Sequence, residues 1–188
     1  STVGTSRSNG DIGKRVLCIQ AHNDDCAIAV GGTIARLSSQ GWEVGTIDLT
    51  DGRYGSHDIE PSTLVAQRQR EAEAEQAILG ADKLASLGIV DGTLPTLPDS
   101  QREIVERSID QCIREFRPNV LLIPTASDAH PDHAATHDIC SSLPRPPRCL
   151  LLKYEVWLMA DFLYKRQDFA SQMLVVGIDS ILPAKVAA

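Results

Sequence analysis

The sequence predicts an α/β fold in which one doubly wound, mostly parallel sheet carries helices on both faces. Two observations predict it. Short β-rich runs alternate with longer helical patterns from Arg15 to Ser142, and strands that are separated by helices pair in parallel through right-handed crossovers. The first run, RVLCIQA, is also apolar enough for a strand that is covered on both faces. We therefore expect a single Rossmann-like domain over residues 15–188.

Each predicted helix has a local signal at its end. Gly41 closes the first helix and Gly80 stops the second, because glycine readily adopts the left-handed conformation that ends helices. The third helix is apolar on one face and ends at Arg117-Pro118, since the residue before a proline avoids the helical region. The predicted helices are 24–40, 61–79, 99–116 and 134–142, and the predicted strands are 15–21, 43–49, 83–90 and 119–126.

The two ends of the chain are less regular. Residues 1–14 are polar and rich in Gly and Ser, which predicts a flexible lead-in without the apolar core of a signal peptide. The prolines of LPRPPR, residues 143–148, exclude regular strand pairing there. CLLLKYEVW (149–157) and MLVVGI (173–178) are predicted as two further strands, and DFLYKRQDFASQ between them is left unassigned.

The composition excludes several classes of protein. The chain has 188 residues, of which 43% are hydrophobic and 23% charged, an ordinary mixture for a globular domain. A net charge of −7 and the lack of a basic block argue against a nucleic-acid partner. No apolar run reaches about 18 residues, so no membrane-spanning segment is expected. Five irregularly spaced cysteines favour a reduced, cytoplasmic protein; a homo-oligomer and a monomer are both compatible with this composition.

Polar side chains follow two strands that this topology makes neighbours. In a doubly wound sheet of order 3-2-1-4, ligands bind outside the carboxyl ends of strands 1 and 4, where the winding reverses. The two clusters are therefore expected to meet, although they are far apart in the sequence. They consist of His22, Asp24 and Asp25 after strand 1, and of Asp128, His130, Asp132 and His133 after strand 4.

The meeting of these clusters predicts a metal site. Two histidines and a carboxylate with one open position are a common catalytic zinc environment. The first cluster would supply His22 with Asp24 or Asp25, and the second would supply His130 or His133. The aspartate that does not bind the metal would accept a proton from the activated water. The alternative is a pair of capped helices, with an aspartate at the first N-cap and both second-cluster histidines in a solvated turn.

Gly31 and Gly32 lie inside the predicted first helix, where each costs about 1 kcal/mol relative to alanine. Close packing of this helix against a strand or the site would explain them, and so would a tolerated defect. They do not form a dinucleotide fingerprint, because no G-x-G-x-x-G follows strand 1. A nucleotide-binding enzyme is therefore disfavoured.

Four motifs resemble those of one family. AHNDDCAIAVGGTIARL, DGRYGS, RQREAEAEQAILGA and HPDHAATH occur in this order and are similar to the zinc-dependent N-deacetylases of the PIG-L/LmbE-like family, which act on N-acetylglucosamine units. The resemblance covers about residues 15–140, and DDCAIAVGGTI with TDGRYGS is most similar to the diacetylchitobiose deacetylase branch. It implies a hydrolase that removes an acetyl group from a small-molecule amino sugar and releases acetate. The alternative is a non-catalytic Rossmann-like domain that binds a metal or a sugar.

The resemblance also implies the roles of the clustered residues. Zn²⁺ would be bound by His22, Asp25 and His133, although Fe²⁺ or another divalent metal suits the same imidazole and carboxylate ligands. Asp24 would be the general base. His130 would stabilise the oxyanion or carry a positive charge beside it, and Asp132 would orient His130.

Three residues match family positions on the substrate side. Arg68 and Asp91 correspond to positions that contact the sugar, but Arg68 with Glu71 is also an ordinary surface pair and Asp91-Gly92 an ordinary turn. Arg53 follows strand 2 and either lines the substrate crevice or lies in a solvated turn.

The sequence departs from the family pattern at two positions near the site. Asn23 stands where the family has a proline, which is expected to loosen the first turn. His137 is an additional histidine one helical turn beyond His133 and is expected to compete as a ligand.

Overall fold

The predicted doubly wound fold is confirmed by the computed structural model, which describes residues 13–156 and 176–188. Its strands are β1 (Arg15–Gln20), β2 (Glu43–Thr50), β3 (Asp82–Ile89), β4 (Val120–Pro124) and β5 (Leu150–Tyr154). Its helices are α1 (Asp25–Ser39), α2 (Pro61–Leu79), α3 (Asp99–Phe116), α4 (Pro131–Ser141) and α5 (Leu182–Ala187), and short 3₁₀ turns cover Leu94–Thr96 and Asp179–Ile181.

The five described strands form one parallel sheet in the order β3-β2-β1-β4-β5. The strand β1 lies at its centre and is buried on both faces, with Leu17 and Ile19 on one side and Val16 and Cys18 on the other. Helices α3 and α4 cover the first face. Helices α1, α2 and α5 cover the second face. The sheet order therefore places the carboxyl end of β1 next to that of β4.

Helix ends follow the local signals in most places. Gly80 adopts the left-handed conformation (φ 68°) after α2. Arg117 does the same (φ 53°) after α3 and is followed by Pro118, which cannot continue the helix. The fourth helix starts at Pro131 rather than at the predicted residue 134, because Pro131 occupies the first helical position and the His130 side chain caps it. This shift brings His130, Asp132 and His133 of the second cluster to one helical N-terminus.

Of the two predicted C-terminal strands, CLLLKYEVW is confirmed by β5, whereas MLVVGI was wrong where it can be compared. Val176 to Ile178, the end of the predicted strand MLVVGI, lie in no strand and lead into the turn before α5. The rest of that strand, the unassigned segment before it, Trp157 and residues 1–12 of the expected lead-in lie outside the described residues. Within the part of the chain that the structure describes, no helix combines the length and hydropathy needed to cross a membrane.

Close packing at Gly32 accounts for one of the two helical glycines. A Cβ atom on Gly32 would lie 2.5 Å from Cδ1 and 2.9 Å from Cγ2 of Ile178, which precedes α5. A Cβ atom on Gly31 would be no closer than 3.8 Å to any neighbour, an ordinary van der Waals contact. The packing partner is thus the C-terminal segment rather than a strand or the site, and only Gly32 is required by it.

We predict opposite effects of alanine at these two glycines. Gly31→Ala should raise the free energy of unfolding by about 0.5–1 kcal/mol, because alanine is the better helix former and fits the space. Gly32→Ala should lower it by about 1 kcal/mol or more, because Ile178 must move. Urea unfolding of both variants measures the difference. Adding Ile178→Ala to Gly32→Ala should recover part of the loss, and equal effects at the two positions would contradict the packing argument.

Candidate metal centre

The segments that follow β1, β3 and β4 converge at the carboxyl edge of the sheet. His22 follows β1, and Asp25 opens α1. Asp91 follows β3, and His133 lies in the first turn of α4. Because β1 pairs in parallel with β4, the two predicted clusters do come together: His22 Nδ1 lies 3.1 Å from His133 Nε2.

Three potential donor atoms form a compact triangle at this point. Asp25 Oδ1 lies 3.1 Å from His133 Nε2 and 3.5 Å from His22 Nδ1, and the two imidazole nitrogens are 3.1 Å apart. Ligands of a tetrahedral zinc ion with bonds of roughly 2.0–2.1 Å are separated by about 3.3 Å. The three side chains therefore fit a zinc ion in both chemistry and spacing. Asp25 Oδ2 also accepts a hydrogen bond from the His22 backbone N–H (2.9 Å), which fixes the turn between them.

Two other groups among the described residues could also hold a metal ion. Each group offers one ligand atom per residue, with all of these atoms within 4.8 Å of one another. His22 belongs to both groups, which are His22 with His130 and His133, and His22 with Asp91 and Asp132. Every metal-binding arrangement of the described residues therefore depends on His22.

Neighbouring carboxylates keep both central imidazoles protonated. Burial opposes the charged form of His22, but hydrogen bonds with Asp132, Asp25 and Asp91 outweigh burial and raise the pKa of His22 to about 12. Burial likewise opposes charge on His133, whose pKa is raised to about 9 by its carboxylate neighbours. At neutral pH both rings thus hold protons that a metal ion would have to displace.

The ionised form of Asp25 is stabilised by the same two histidines. Its burial opposes ionisation, but His133 and His22 outweigh that effect and lower the pKa of Asp25. The centre of the site is therefore an anion between two cations, and the carboxylate is available as a ligand at any ordinary pH.

His133 is supported on its second ring nitrogen by Asp128. Oδ1 of Asp128 lies 2.9 Å from His133 Nδ1 and accepts the His130 backbone N–H at 3.0 Å. Oδ2 accepts the Val156 backbone N–H at 2.9 Å. The sequence placed Asp128 in the second cluster without assigning it a role; the contacts make it the support of His133.

His130 lies beside both rings and is not charged like them. Its ring centroid is 4.6 Å from that of His22 and 4.8 Å from that of His133. Burial and the charges of these two histidines lower the pKa of His130. Its Nδ1 accepts the Asp132 backbone N–H at 3.2 Å, so the proton of the neutral ring is on Nε2. His130 is therefore a neutral hydrogen-bond donor rather than an imidazolium.

The carboxylate of Asp132 does not point where the sequence suggested. It was expected to orient His130, but only its backbone N–H contacts that ring. The fully buried carboxylate instead accepts the backbone N–H of Gly92 (2.7 Å) and of Leu94 (3.2 Å), with Oδ2 3.4 Å from His22 Nε2. Asp132 thus connects α4 to the segment after β3.

Asp24 lies at the N-cap of α1 and forms an ion pair with α2. Its Oδ2 is 3.1 Å from Arg68 Nη1, and the same guanidinium is 3.5 Å from Glu71 Oε2. The Asn23 side-chain amide donates to the Arg68 carbonyl at 2.7 Å. Asn23 therefore anchors the turn to α2 through a hydrogen bond that a proline could not donate. Nothing in the sequence pattern pointed to this contact.

The remaining candidate residues are held by local contacts. Arg53 donates its Nε–H to Asp51 Oδ2 (2.8 Å) and stays partly exposed in the turn after β2. Asp91 is buried, with Oδ1 3.1 Å from His22 Nε2. His137 donates from Nδ1 to the Pro124 carbonyl (2.9 Å), which ties α4 to β4. Neither metal-binding group of the described residues includes His137, so the expected competition finds no support.

Comparisons with known proteins find relatives for much of the chain. The family model PIG-L, described as GlcNAc-PI de-N-acetylase, matches residues 17–143. A diacetylchitobiose deacetylase of Thermococcus kodakarensis is 40% identical over 125 residues, which cover 64% of this chain and 45% of that protein. A 1D-myo-inositol 2-acetamido-2-deoxy-alpha-D-glucopyranoside deacetylase of Rhodococcus erythropolis is 31% identical, over 69% of this chain and 52% of its own length. The chain thus spans about half the length of these curated relatives.

A solved structure extends the similarity to the fold. The N,N′-diacetylchitobiose deacetylase from Pyrococcus horikoshii, complexed with its inhibitor MPG, is 26% identical with a TM-score of 0.73. The similarity covers 93% of this chain and 68% of that one. Since the family model spans more than half of the sequence, this chain belongs to the PIG-L family.

Proposed function

We propose that this chain carries the metal centre of a zinc-dependent N-deacetylase that hydrolyses the acetamide of an N-acetylglucosamine-type sugar and releases acetate. The observation that supports it most is the triangle of His22 Nδ1, Asp25 Oδ1 and His133 Nε2, whose sides of 3.1–3.5 Å suit one tetrahedral ion. The relatives that resemble the chain are deacetylases by name.

In this proposal, His22, Asp25 and His133 hold the metal. When bound, Zn²⁺ would polarise the amide carbonyl and acidify a water molecule at neutral pH. Fe²⁺ would accept the same imidazole and carboxylate ligands and is the main competitor for the site.

Asp24 is proposed as the general base. It follows the turn directly after His22 and is partly exposed, so a water molecule and a substrate can reach its carboxylate. The carboxylate would take a proton from the attacking water and later deliver it to the departing amine nitrogen. The Arg68 guanidinium at 3.1 Å limits where this carboxylate can point.

His130 is proposed to stabilise the negative charge that develops on the amide oxygen. Its neutral ring carries the proton on Nε2, because Nδ1 accepts the Asp132 backbone N–H. That Nε2–H would donate to the oxygen as its charge grows, which lowers the barrier more than it stabilises the substrate.

The substrate class is proposed from the relatives, which are deacetylases of diacetylchitobiose and of an inositol-linked acetamido sugar. Their substrates share one 2-acetamido sugar, so that unit is what the site would recognise. Arg68 is the proposed contact to its hydroxyl groups, since its guanidinium lies beside Asp24. Arg53 is proposed to line the outer rim of the site, where Asp51 holds it.

All five cysteines are unpaired, and three are buried. We infer a reducing, cytoplasmic compartment from them.

Asp24→Asn tests the catalytic part of this proposal. The variant should keep about one Zn²⁺ per chain but lose roughly 10²–10⁴-fold in kcat, because an amide cannot accept the water proton. Acetate release from a panel of N-acetylglucosamine compounds and metal analysis are the measurements. Asp138→Asn, the same change at an exposed position of α4, is the control and should be unaffected. Retained turnover in Asp24→Asn would refute the assignment of the base, and a chain that binds zinc without releasing acetate would be a binding domain.

Zinc binding should depend on pH because His22 and His133 are protonated in the absence of a metal. With pKa values of about 12 and about 9, both rings hold the proton at pH 7 on the nitrogens that face the metal position. Binding should therefore release about two protons per Zn²⁺, and the apparent affinity should rise with pH by roughly tenfold per unit for each displaced proton. Isothermal titration calorimetry in buffers of different ionisation enthalpy counts these protons. His133→Gln should release one proton fewer; release of none by the unmodified chain would contradict the proposed ligands.

A further inference from the structure

We propose that Tyr54 determines substrate specificity: its exposed ring forms a platform for a second pyranose ring, linked to the acetamido sugar that carries the reacting amide. The inference rests on the proposed deacetylase function and adds a residue that selects a disaccharide over a single sugar. Tyr54 lies in the DGRYGS motif after β2, of which the proposed function uses only Arg53.

The side chain of Tyr54 is exposed, unlike the other aromatic side chains that the structure describes. Trp42 and Phe116 are half-buried, and Tyr154 is buried. Tyr54 is 59% exposed. A single exposed apolar group is ordinary on a protein surface, so exposure alone assigns no role. The position of this ring beside the site is what favours a ligand contact.

The turn that carries Tyr54 has a defined structure. The Gly55 backbone N–H donates to the Gly52 carbonyl at 3.2 Å, which places Arg53 and Tyr54 at the two central positions of the turn. Gly52 enters it with φ 65°, in the left-handed region that glycine favours. Asp51 accepts the backbone N–H of Arg53 at 3.2 Å and its Nε–H at 2.8 Å. The backbone of Tyr54 is therefore held in one place.

This turn contacts both side chains that the sequence assigns to the acetamido sugar. The Tyr54 backbone N–H donates to Asp91 Oδ2 at 3.1 Å. The next residue, Gly55, lies so close to Arg68 that a Cβ atom on it would be 2.8 Å from Nη2. The same guanidinium pairs through Nη1 with Asp24, the proposed base, at 3.1 Å. Tyr54 therefore emerges beside the place where the reacting sugar would bind.

The reacting sugar itself would be held by polar groups. Its acetamide must reach the metal centre and Asp24, and its hydroxyl groups would contact Arg68 and Asp91. The Asp91 side chain is 10% exposed, whereas Tyr54, one hydrogen bond away, is 59% exposed. The aromatic ring therefore lies on the solvent side of these groups, where a unit linked to the reacting sugar would project.

An aromatic ring suits a second pyranose ring chemically. The face of a pyranose carries C–H groups with a small positive charge, and the face of an aromatic ring is negative. The two faces can therefore pack together without removing the sugar hydroxyl groups from water. Aromatic side chains combined with a few polar groups are also the usual lining of small-molecule sites.

A contact with a second copy of the chain is the competing interpretation of the exposed ring. Such an interface needs a continuous apolar patch. The other exposed residues of this segment, Gly55, His57 and Asp58, are small or polar. A single ring among polar groups favours a sugar, which presents hydroxyl and C–H groups together.

The kinetics of Tyr54 variants on N-acetylglucosamine and on its β-1,4-linked dimer test the proposal. Tyr54→Ala should raise KM for the dimer by about 5–20-fold with little change in kcat, because the ring contacts a unit remote from the reacting amide. KM for the monomer should stay within about twofold. Tyr54→Phe keeps the ring and should behave like the unmodified chain. Both variants retain the backbone N–H that Asp91 accepts.

Ile28→Ala is the matched control, because it truncates an apolar side chain of similar exposure, 55%, on α1. It should change neither KM. Equal losses for monomer and dimer in Tyr54→Ala would make Tyr54 a support of the turn and overturn the proposal. Unchanged KM values for both sugars would overturn it too, and an altered oligomeric state would then assign the ring to a protein contact.

A binding measurement separates this proposal from the proposed deacetylation. In an Asp24→Asn chain labelled with ¹³C in its tyrosine rings, the dimer should shift the Tyr54 resonance, and the monomer should leave it nearly in place. The resonance is assigned by its loss in Tyr54→Phe. No shift with saturating dimer would overturn the proposal. Because no turnover is needed, a chain that releases no acetate from any sugar would still give this result.

Discussion

The parallel pairing of β1 with β4 is the constraint on which the site depends. It brings the ends of both strands to one edge of the sheet, so that His22 and His133, 111 positions apart, lie in contact. Their ring centroids are 5.2 Å apart, and two protonated rings at that distance repel each other by about 3 kcal/mol at an effective dielectric constant of 20. Asp25 lies within 3.5 Å of both rings and offsets this repulsion. The fold thus brings ionisable groups of both signs together at one place, where protons or a metal ion would supply the positive charge.

The sheet and the meeting of the two clusters could be predicted because they follow from patterns that are local in sequence. Alternating strands and helices imply parallel pairing, and the order 3-2-1-4 then places the residues after β1 beside those after β4. The same patterns predict which residues lie at the ends of strands, but they do not predict which partner each side chain contacts. Asp132 illustrates the difference: its position was predicted, but its carboxylate accepts backbone N–H groups of the segment after β3 instead of contacting His130.

Contacts between distant segments explain the other features that the sequence could not supply. Gly32 is required by Ile178, which lies at the end of a segment that the sequence pattern wrongly predicted as a strand. Asn23 compensates for a missing proline by donating to the Arg68 carbonyl, and this contact depends on how closely α2 approaches α1. Asp128 supports His133 because it lies in the short segment that connects β4 to α4. In each case the residue type was compatible with several partners, and only the packing selects one.

A polar network connects the first turn of α1, which carries Asp25, to the strands of the sheet. The backbone N–H of Cys26, in the first turn, has no partner within the helix and donates to Gln20 Oε1 at 2.8 Å. Gln20 donates in turn to Asp48 Oδ1 (2.6 Å), and Lys83 pairs with Asp48 Oδ2 at 3.1 Å. These hydrogen bonds and the ion pair connect β1, β2 and β3. Gln20 and Asp48 are buried, so either would be costly to leave without a partner. Since Asp25 precedes Cys26 in the same turn, this network fixes the direction from which its carboxylate approaches the two histidines, and it anchors the proposed metal site to the sheet.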